Sequence, residues 1–233
     1  MNKITICVCS SRSFIDRKEV VRLATSAQKA GWQVDLVPDL CELCEDHDPR
    51  VHQLAESCIV GCHERALKSL LAFNDEDECQ VFSLRESSAQ KVLAQLALEP
   101  VEDAEQDRIF EEQLAKFPVK PGEDAWYPTL DKDVCGECGK CFDFCPFGVY
   151  EMIDDRVRVM HPHNCKNNCP ACARTCPHSA IIFPKYDRSP INGGAEMQEK
   201  AVQLDSRTAY TEAFRAKLAQ RRAGVSLLKK NEE

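Results

Sequence analysis

The apolar and polar positions of the first hundred residues change period repeatedly. Ile4 to Cys9 is a short apolar, β-branched run and predicts a strand. Asp16 to Lys29 gathers Val20, Val21, Leu23, Ala24 and Ala27 on one helical face, with Asp16 suited to cap its start and Gly31 to stop it. Trp32 to Val37 reads as a second strand, Pro49 to Glu56 as a short helix and Cys58 to Gly61 as a third strand. His63 to Phe73 reads as a helix, Gln80 to Leu84 as a fourth strand and Ser87 to Leu98 as a last helix. Strands alternating with helices predict an α/β domain with a mostly parallel sheet over residues 1–98.

The pattern then breaks. Residues 99–130 are acidic and carry prolines, with one amphipathic helix at Asp103 to Lys116, and read as a linker able to dock on a neighbour. A cysteine-rich segment occupies 131–184. Residues 185–233 form a loop, Lys185 to Gly194, and a helical tail in which Ala201, Leu204, Ala209, Phe214 and Leu218 keep loose helical spacing. That tail is a solvated helix or, in the sharper reading, a helix that docks on a partner.

Composition narrows the chemistry. A length of 233 residues suits two compact domains. Fifteen cysteines, an odd number in a chain of ordinary globular composition, favour metal or redox chemistry over a secreted disulfide scaffold. The net charge of −8 argues against a nucleic-acid partner, because binding phosphates needs a concentrated basic surface. Residues 1–10 lack a secretory signal's apolar core, and no apolar run approaches the roughly 20 residues that span a bilayer. The expectation is a cytoplasmic chain without a membrane span.

The cysteine spacing is the strongest signal. Cys135-x2-Cys138-x2-Cys141-x3-Cys145-Pro146 is followed by Cys165-x3-Cys169-x2-Cys172-x3-Cys176-Pro177. Three thiolates from one tight turn can cap three irons of a cubane, while the fourth, just before a proline, points to the other cluster. One 4Fe-4S cluster would then be held by Cys135, Cys138, Cys141 and Cys176, and the other by Cys165, Cys169, Cys172 and Cys145. Zinc would favour two Cys-x-x-Cys pairs about a dozen residues apart. Phe142, Phe144, Phe147, Tyr150, Ile181 and Phe183 read as the small core that keeps water from the clusters.

This segment resembles the bacterial-type double-cluster ferredoxin family, down to the Cys-Pro-Phe-Gly-Val-Tyr and Cys-Pro-His-Ser-Ala-Ile continuations. The resemblance implies a small α+β ferredoxin-like domain with two 4Fe-4S clusters. One departure is the turn Lys166-Asn167-Asn168, three residues where the usual pattern has two.

Seven more cysteines lie in the α/β region. Cys7 and Cys9 end the first strand, Cys41 and Cys44 follow the second, Cys58 and Cys62 bracket the third, and Cys79 reads as structural. Thiols at the carboxyl ends of adjacent parallel strands converge on one edge, where they can surround an ion or cubane. The bland alternative is a set of buried cysteines acting as small hydrophobes.

Cys7-Val8-Cys9, Cys41 or Cys44, and Val60-Gly61-Cys62-His63-Glu64 resemble the amino-terminal domain of the heterodisulfide reductase A subunit family. The resemblance implies a third 4Fe-4S cluster with Cys9, Cys62, Cys41 or Cys44, and Cys7 as candidate ligands. Ser10 stands where that family has glycine, and a Ser-Pro between its cysteine and histidine is missing. No G-x-G-x-x-G occurs, so no flavin site is expected in this chain.

Two further readings concern the same loops. Ser10-Ser11-Arg12-Ser13 could cradle a phosphate. Cys41-x2-Cys44 could be a thiol-disulfide pair, although the acidic stretch after it does not look like the helix start that activates such thiols. His47, His52, His161, His163 and His178 show no ligand spacing. The functional expectation is an electron-transfer protein or subunit whose redox partner is a flavin- or metal-containing oxidoreductase subunit. The alternative is a redox enzyme using a third cluster or a thiol pair in the first domain.

Overall fold

The computed structural model describes residues 2–117 and 124–195; the helical tail expected beyond 195 lies outside the described residues. The first domain runs β1 (Lys3–Cys7), α1 (Arg17–Lys29), β2 (Gln33–Val37), α2 (Leu40–Glu45), α3 (Arg50–Ala55), β3 (Cys58–Gly61), α4 (Glu64–Phe73), β4 (Val81–Ser83), α5 (Ala89–Gln95) and α6 (Ala104–Ala115). Its four strands form a parallel sheet in the order β2-β1-β3-β4. Both faces are covered, which is why β1 and β3 read as continuous apolar runs rather than alternating ones.

α1 starts where Asp16 accepts a hydrogen bond from the Lys18 N–H, and Gly31, at φ +81, continues the turn that ends it. α2 is a helix that the apolar pattern did not mark. Asp39 caps it by accepting from the Cys41 N–H, and it places Cys41 and Cys44, three residues apart, on one buried face.

The acidic stretch does dock. Asp103 caps α6, and Phe110 and Leu114, four residues apart, insert into the core formed with α1 and α5. Thr25 donates to Asp107 across that contact, and Lys29 pairs with Asp103.

The second unit comprises β5 (Thr129–Leu130), α7 (Lys140–Phe144), β6 (Tyr150–Ile153), β7 (Arg156–Val159), a 3-10 turn (Pro162–Asn164), α8 (Ala171–Thr175) and β8 (Ile181–Ile182). β5 pairs antiparallel with β8, and β6 with β7, giving the small ferredoxin-like α+β arrangement. The two units share a core, because Ala125, Tyr127 and Ile182 pack with Cys7, Cys41, Cys62, Leu67 and Leu70. Arg65 of α4 reaches across to Asp131 and the Ser179 carbonyl.

The stretch after β8 is a buried strap rather than a solvent loop. Lys185, Ser189 and Asn192 are buried, and the Phe183 N–H donates to the Ile191 carbonyl at 2.8 Å. Among the described residues no helix is long and apolar enough to cross a membrane.

Candidate redox centres

In the ferredoxin-like unit, α7 and α8 are single helical turns that each carry the third cysteine of a motif, Cys141 and Cys172. Cys135, Cys138 and Cys141 line one small cavity together with Cys176, which arrives from the other motif. Leu130, Val157 and Ile181 complete its wall. Cys145, in turn, stands within electrostatic reach of Cys165 and Cys172. Cys176 thus stands with the thiols of the first motif, and Cys145 near those of the second.

The surroundings fit clusters. The Ala180 N–H donates to Cys176 Sγ at 3.4 Å and the Tyr150 hydroxyl to Cys172 Sγ at 3.1 Å. Burial pushes the Cys141 and Cys165 thiols up to about 12, and raises Cys172 as well. Thiols in such places keep their protons at neutral pH until a metal replaces them, and four-thiolate ligation of iron supplies that replacement.

The aromatic shell divides. Tyr150, Ile181 and Phe183 are buried, but Phe142 and Phe147 are each 41% exposed and do not belong to the core expected of them. Cys141 takes the inward side of the five-residue α7, and its neighbour Phe142, turned about 100° away, faces out.

In the first domain the sheet order leaves a topological switch point between β1 and β3, where the chain departs in opposite directions. Cys7 and Cys9 leave the end of β1 and Cys62 the end of β3, so they flank that crevice. Gly61 makes the approach possible: a Cβ there would lie 3.3 Å from the Cβ of Cys7 and 3.1 Å from Leu67. Cys41 enters from α2. Electrostatic interactions tie Cys7 to Cys9 and Cys62, and Cys41 to Cys62 and Cys7. All four are buried.

Cys44 lies to one side of this group, interacting with Asp39 and Tyr127. Cys58 and Cys79 neighbour each other at the opposite end of the sheet.

Three residues whose role sequence reasoning missed, Lys185, Asp39 and Arg85, complete the site. Lys185 of the strap donates to Asp39 and, at 2.6 Å, to Ser11, with its ammonium 3.5 Å from Cys9 Sγ. Burial alone would lower its pKa, but Cys41, Asp39 and Cys9 more than reverse that and hold the cation. Arg85 stacks on Phe14 and lies within electrostatic reach of Cys62 and Cys9. One buried nitrogen of Arg85 and Nε2 of His63 have no hydrogen-bond partner among the described residues. Four buried thiols beside two cations and unpartnered donors form a donor set that fits an anionic, sulfide-bearing cluster.

The phosphate reading of the first loop fails on its hydrogen bonds. The Ser10 N–H is taken by the Pro38 carbonyl, and the Arg12 and Ser13 N–H groups by the Cys9 carbonyl. The thiol-pair reading is half corrected: Cys41 does sit in a helical first turn, because the Asp39-x2-Glu42 capping signature starts α2 there. Burial nevertheless raises the Cys41 thiol well above its usual value and Cys44 to about 12, against activation for exchange. The histidines take surface roles in most cases, His52 with Glu76 and His161 with Glu151.

Comparison with known proteins agrees with the second unit. Residues 127–201 match the family model of the 4Fe-4S dicluster domain. An uncharacterized ferredoxin of Methanocaldococcus jannaschii is 40% identical over 79 residues, 34% of this chain and 54% of that protein, so the chain spans about half its length. Ferredoxin-3 of Nostoc sp. is 33% identical over 92 residues, 30% of this chain and 89% of the relative. The pyruvate synthase subunit PorD of Methanothermobacter marburgensis is 43% identical over 54 residues, 23% of this chain and 60% of the subunit.

Proposed function

From the premise that the chain belongs, through residues 127–201, to the 4Fe-4S dicluster ferredoxins, we propose that it relays single electrons between a third iron-sulfur centre in its first domain and a cytoplasmic oxidoreductase partner. At the level of the family it is a ferredoxin-like 4Fe-4S electron-transfer protein with two clusters. In the proposal those clusters are held by Cys135, Cys138, Cys141 and Cys176, and by Cys165, Cys169, Cys172 and Cys145. The resemblance to the heterodisulfide reductase A subunit family implies a third cluster drawn from Cys9, Cys62, Cys41 or Cys44, and Cys7; within that set the proposal takes Cys7, Cys9, Cys41 and Cys62, the four buried thiols in mutual electrostatic reach.

The observation that carries the third centre is the convergence of four buried thiols at the switch point around the ammonium of Lys185. Bound clusters would supply one-electron chemistry. The protein's part is to hold the thiolates, exclude water with the strap and the shared core, and offset cluster charge with Lys185 and Arg85. The similarity to PorD, a pyruvate synthase subunit, supports an oxidoreductase subunit as partner, which in the proposal carries a flavin or a metal.

Iron inventory tests the reading. About twelve irons per chain are expected, falling to about eight in a Cys9→Ser, Cys62→Ser double variant whose ferredoxin EPR signals persist. Eight irons in the unaltered chain would overturn the third centre. A redox enzyme working through Cys41 and Cys44 would instead turn over small disulfides in isolation and lose that activity on Cys44→Ser.

A further inference from the structure

The widened turn Lys166-Asn167-Asn168 is a feature that the relay by itself does not explain. Asn168 adopts a left-handed φ of +58, and its side-chain oxygen accepts from Arg12 Nη2 at 3.2 Å. Arg12 follows Cys9 by three residues and is anchored by a 2.7 Å pair with the buried Asp124. Just before the turn, His163 lies 3.6 Å from Glu45 and 3.3 Å from Asp46, at the end of α2. Cys165 packs against the core that contains Cys7, Cys41, Cys44 and Cys62, and its thiol feels Glu45. Two of the three segments that bring thiols to the first-domain site, the loop after β1 and α2, therefore abut the second cysteine motif.

The first motif meets the first domain through Arg65 of α4, which reaches Asp131 and the Ser179 carbonyl, and not through a segment that carries a thiol into its cavity. The cavity shared by Cys135, Cys138, Cys141 and Cys176 is walled by β5, β7 and β8 residues, without any first-domain thiol. Cys138 is exposed, and Val134, Phe142 and Phe147 in the same segment are 44%, 41% and 41% exposed.

We infer that the three centres form an ordered wire: the first-domain centre exchanges electrons with the cluster of Cys165, Cys169, Cys172 and Cys145, and the cluster of Cys135, Cys138, Cys141 and Cys176 is the terminal one that meets an external one-electron redox protein. The extra residue of the turn is the joint that fixes the inner gap, through Asn168 and Arg12. This order rests on the third-centre reading above. Each step moves one electron, oxidising the donor centre by one unit and reducing the acceptor by one. No bond forms, no proton is transferred, and the external protein supplies or takes the electron at the terminal cluster.

The full chain, loaded with iron and sulfide and reduced with dithionite, can be studied by pulsed EPR for relaxation enhancement of the first-domain signal by a neighbouring cluster. The enhancement is expected to vanish in Cys165→Ser and to persist in Cys135→Ser, while Cys135→Ser loses electron delivery to an added one-electron carrier protein. Arg12→Ala and Asn168→Ala keep every thiol and so report even where a ligand variant fails to fold. Each is expected to weaken the enhancement and slow electron exchange with the first domain several-fold, with iron content and potentials unchanged. Enhancement lost in Cys135→Ser but kept in Cys165→Ser, or no effect of Arg12→Ala and Asn168→Ala, would overturn the order. About eight irons in the unaltered chain would overturn the third centre and the wire together, which separates the two failures.

Discussion

Lys185 Nζ lies 3.5 Å from Cys9 Sγ, although the two residues are 176 apart in the chain. The same ammonium pairs with Asp39, whose other oxygen accepts the Cys41 N–H at 3.1 Å and so starts α2. One carboxylate thus caps the helix that presents Cys41 and anchors the strap that covers Cys9.

The first prediction follows from that shared carboxylate. Lys185 and Asp39 side chains are 2% and 5% exposed, so removing one partner leaves a buried, uncompensated charge. Lys185→Met is expected to destabilise the chain by about 3 to 5 kcal/mol, read as a shift in the denaturant midpoint. Asp39→Asn combined with Lys185→Met should recover most of the loss, because no buried charge then remains. A double variant no better than Lys185→Met would show that the pair is not the cause.

These contacts mark what could and could not be read in the sequence. The strands and α1 were legible because their burial on both faces, or on one helical face, is written as local apolar spacing. α2 was not, because its six residues are too short for a period to show; its one local trace was Asp39 followed three residues later by Glu42. The dicluster domain was legible in the cysteine spacing, since tight turns make each motif local. Lys185 had no local signal at all, because its value comes from residues more than a hundred positions away. Asn168 was visible as an anomaly of spacing, but its pairing with Arg12, 156 positions away, left no trace in the sequence.

A second prediction concerns the crossing between motifs. Cys145 lies in the first motif but within electrostatic reach of Cys165 and Cys172, and Cys176 lies in the second but lines the cavity of Cys135, Cys138 and Cys141. Cys145→Ser should therefore alter the EPR spectrum and potential of the same cluster that Cys169→Ser alters. Cys176→Ser should mimic Cys138→Ser instead. Pairing by sequence motif rather than across motifs would reverse both outcomes.

A third concerns the acidic segment. Phe110 is 2% exposed in the first core, so Phe110→Ala is expected to cost about 3 to 5 kcal/mol if α6 is integral to that domain. The Asp103 carboxyl is held below its ordinary value by its hydrogen bond to Lys29 and by the Gln106 N–H. A depressed carboxyl contributes stability that is full above the ordinary value of about 3.9 and is lost as pH falls through the folded-state value. Hydrogen exchange should thus find α6 loosening in acid before α1, and Asp103→Ala should remove that pH dependence. An α6 that exchanges freely at neutral pH would show it to be a linker after all.

The last prediction tests the strap as the seal of the first-domain site. Gly193 adopts φ +90, and a Cβ there would stand 2.8 Å from the Ala66 backbone nitrogen at the start of α4. Gly193→Ala meets both a disfavoured conformation and backbone that cannot yield, for a cost of about 1 to 3 kcal/mol. Because Lys185 and Asn192 belong to the same buried stretch, the strain should lift the strap locally rather than unfold the sheet. The expected signature in metal-free chain is faster modification of Cys9 and Cys62 by a thiol reagent, with Cys58 at the far end of the sheet unchanged. Equal acceleration at Cys58 would mean global unfolding and would remove the strap's role as a seal.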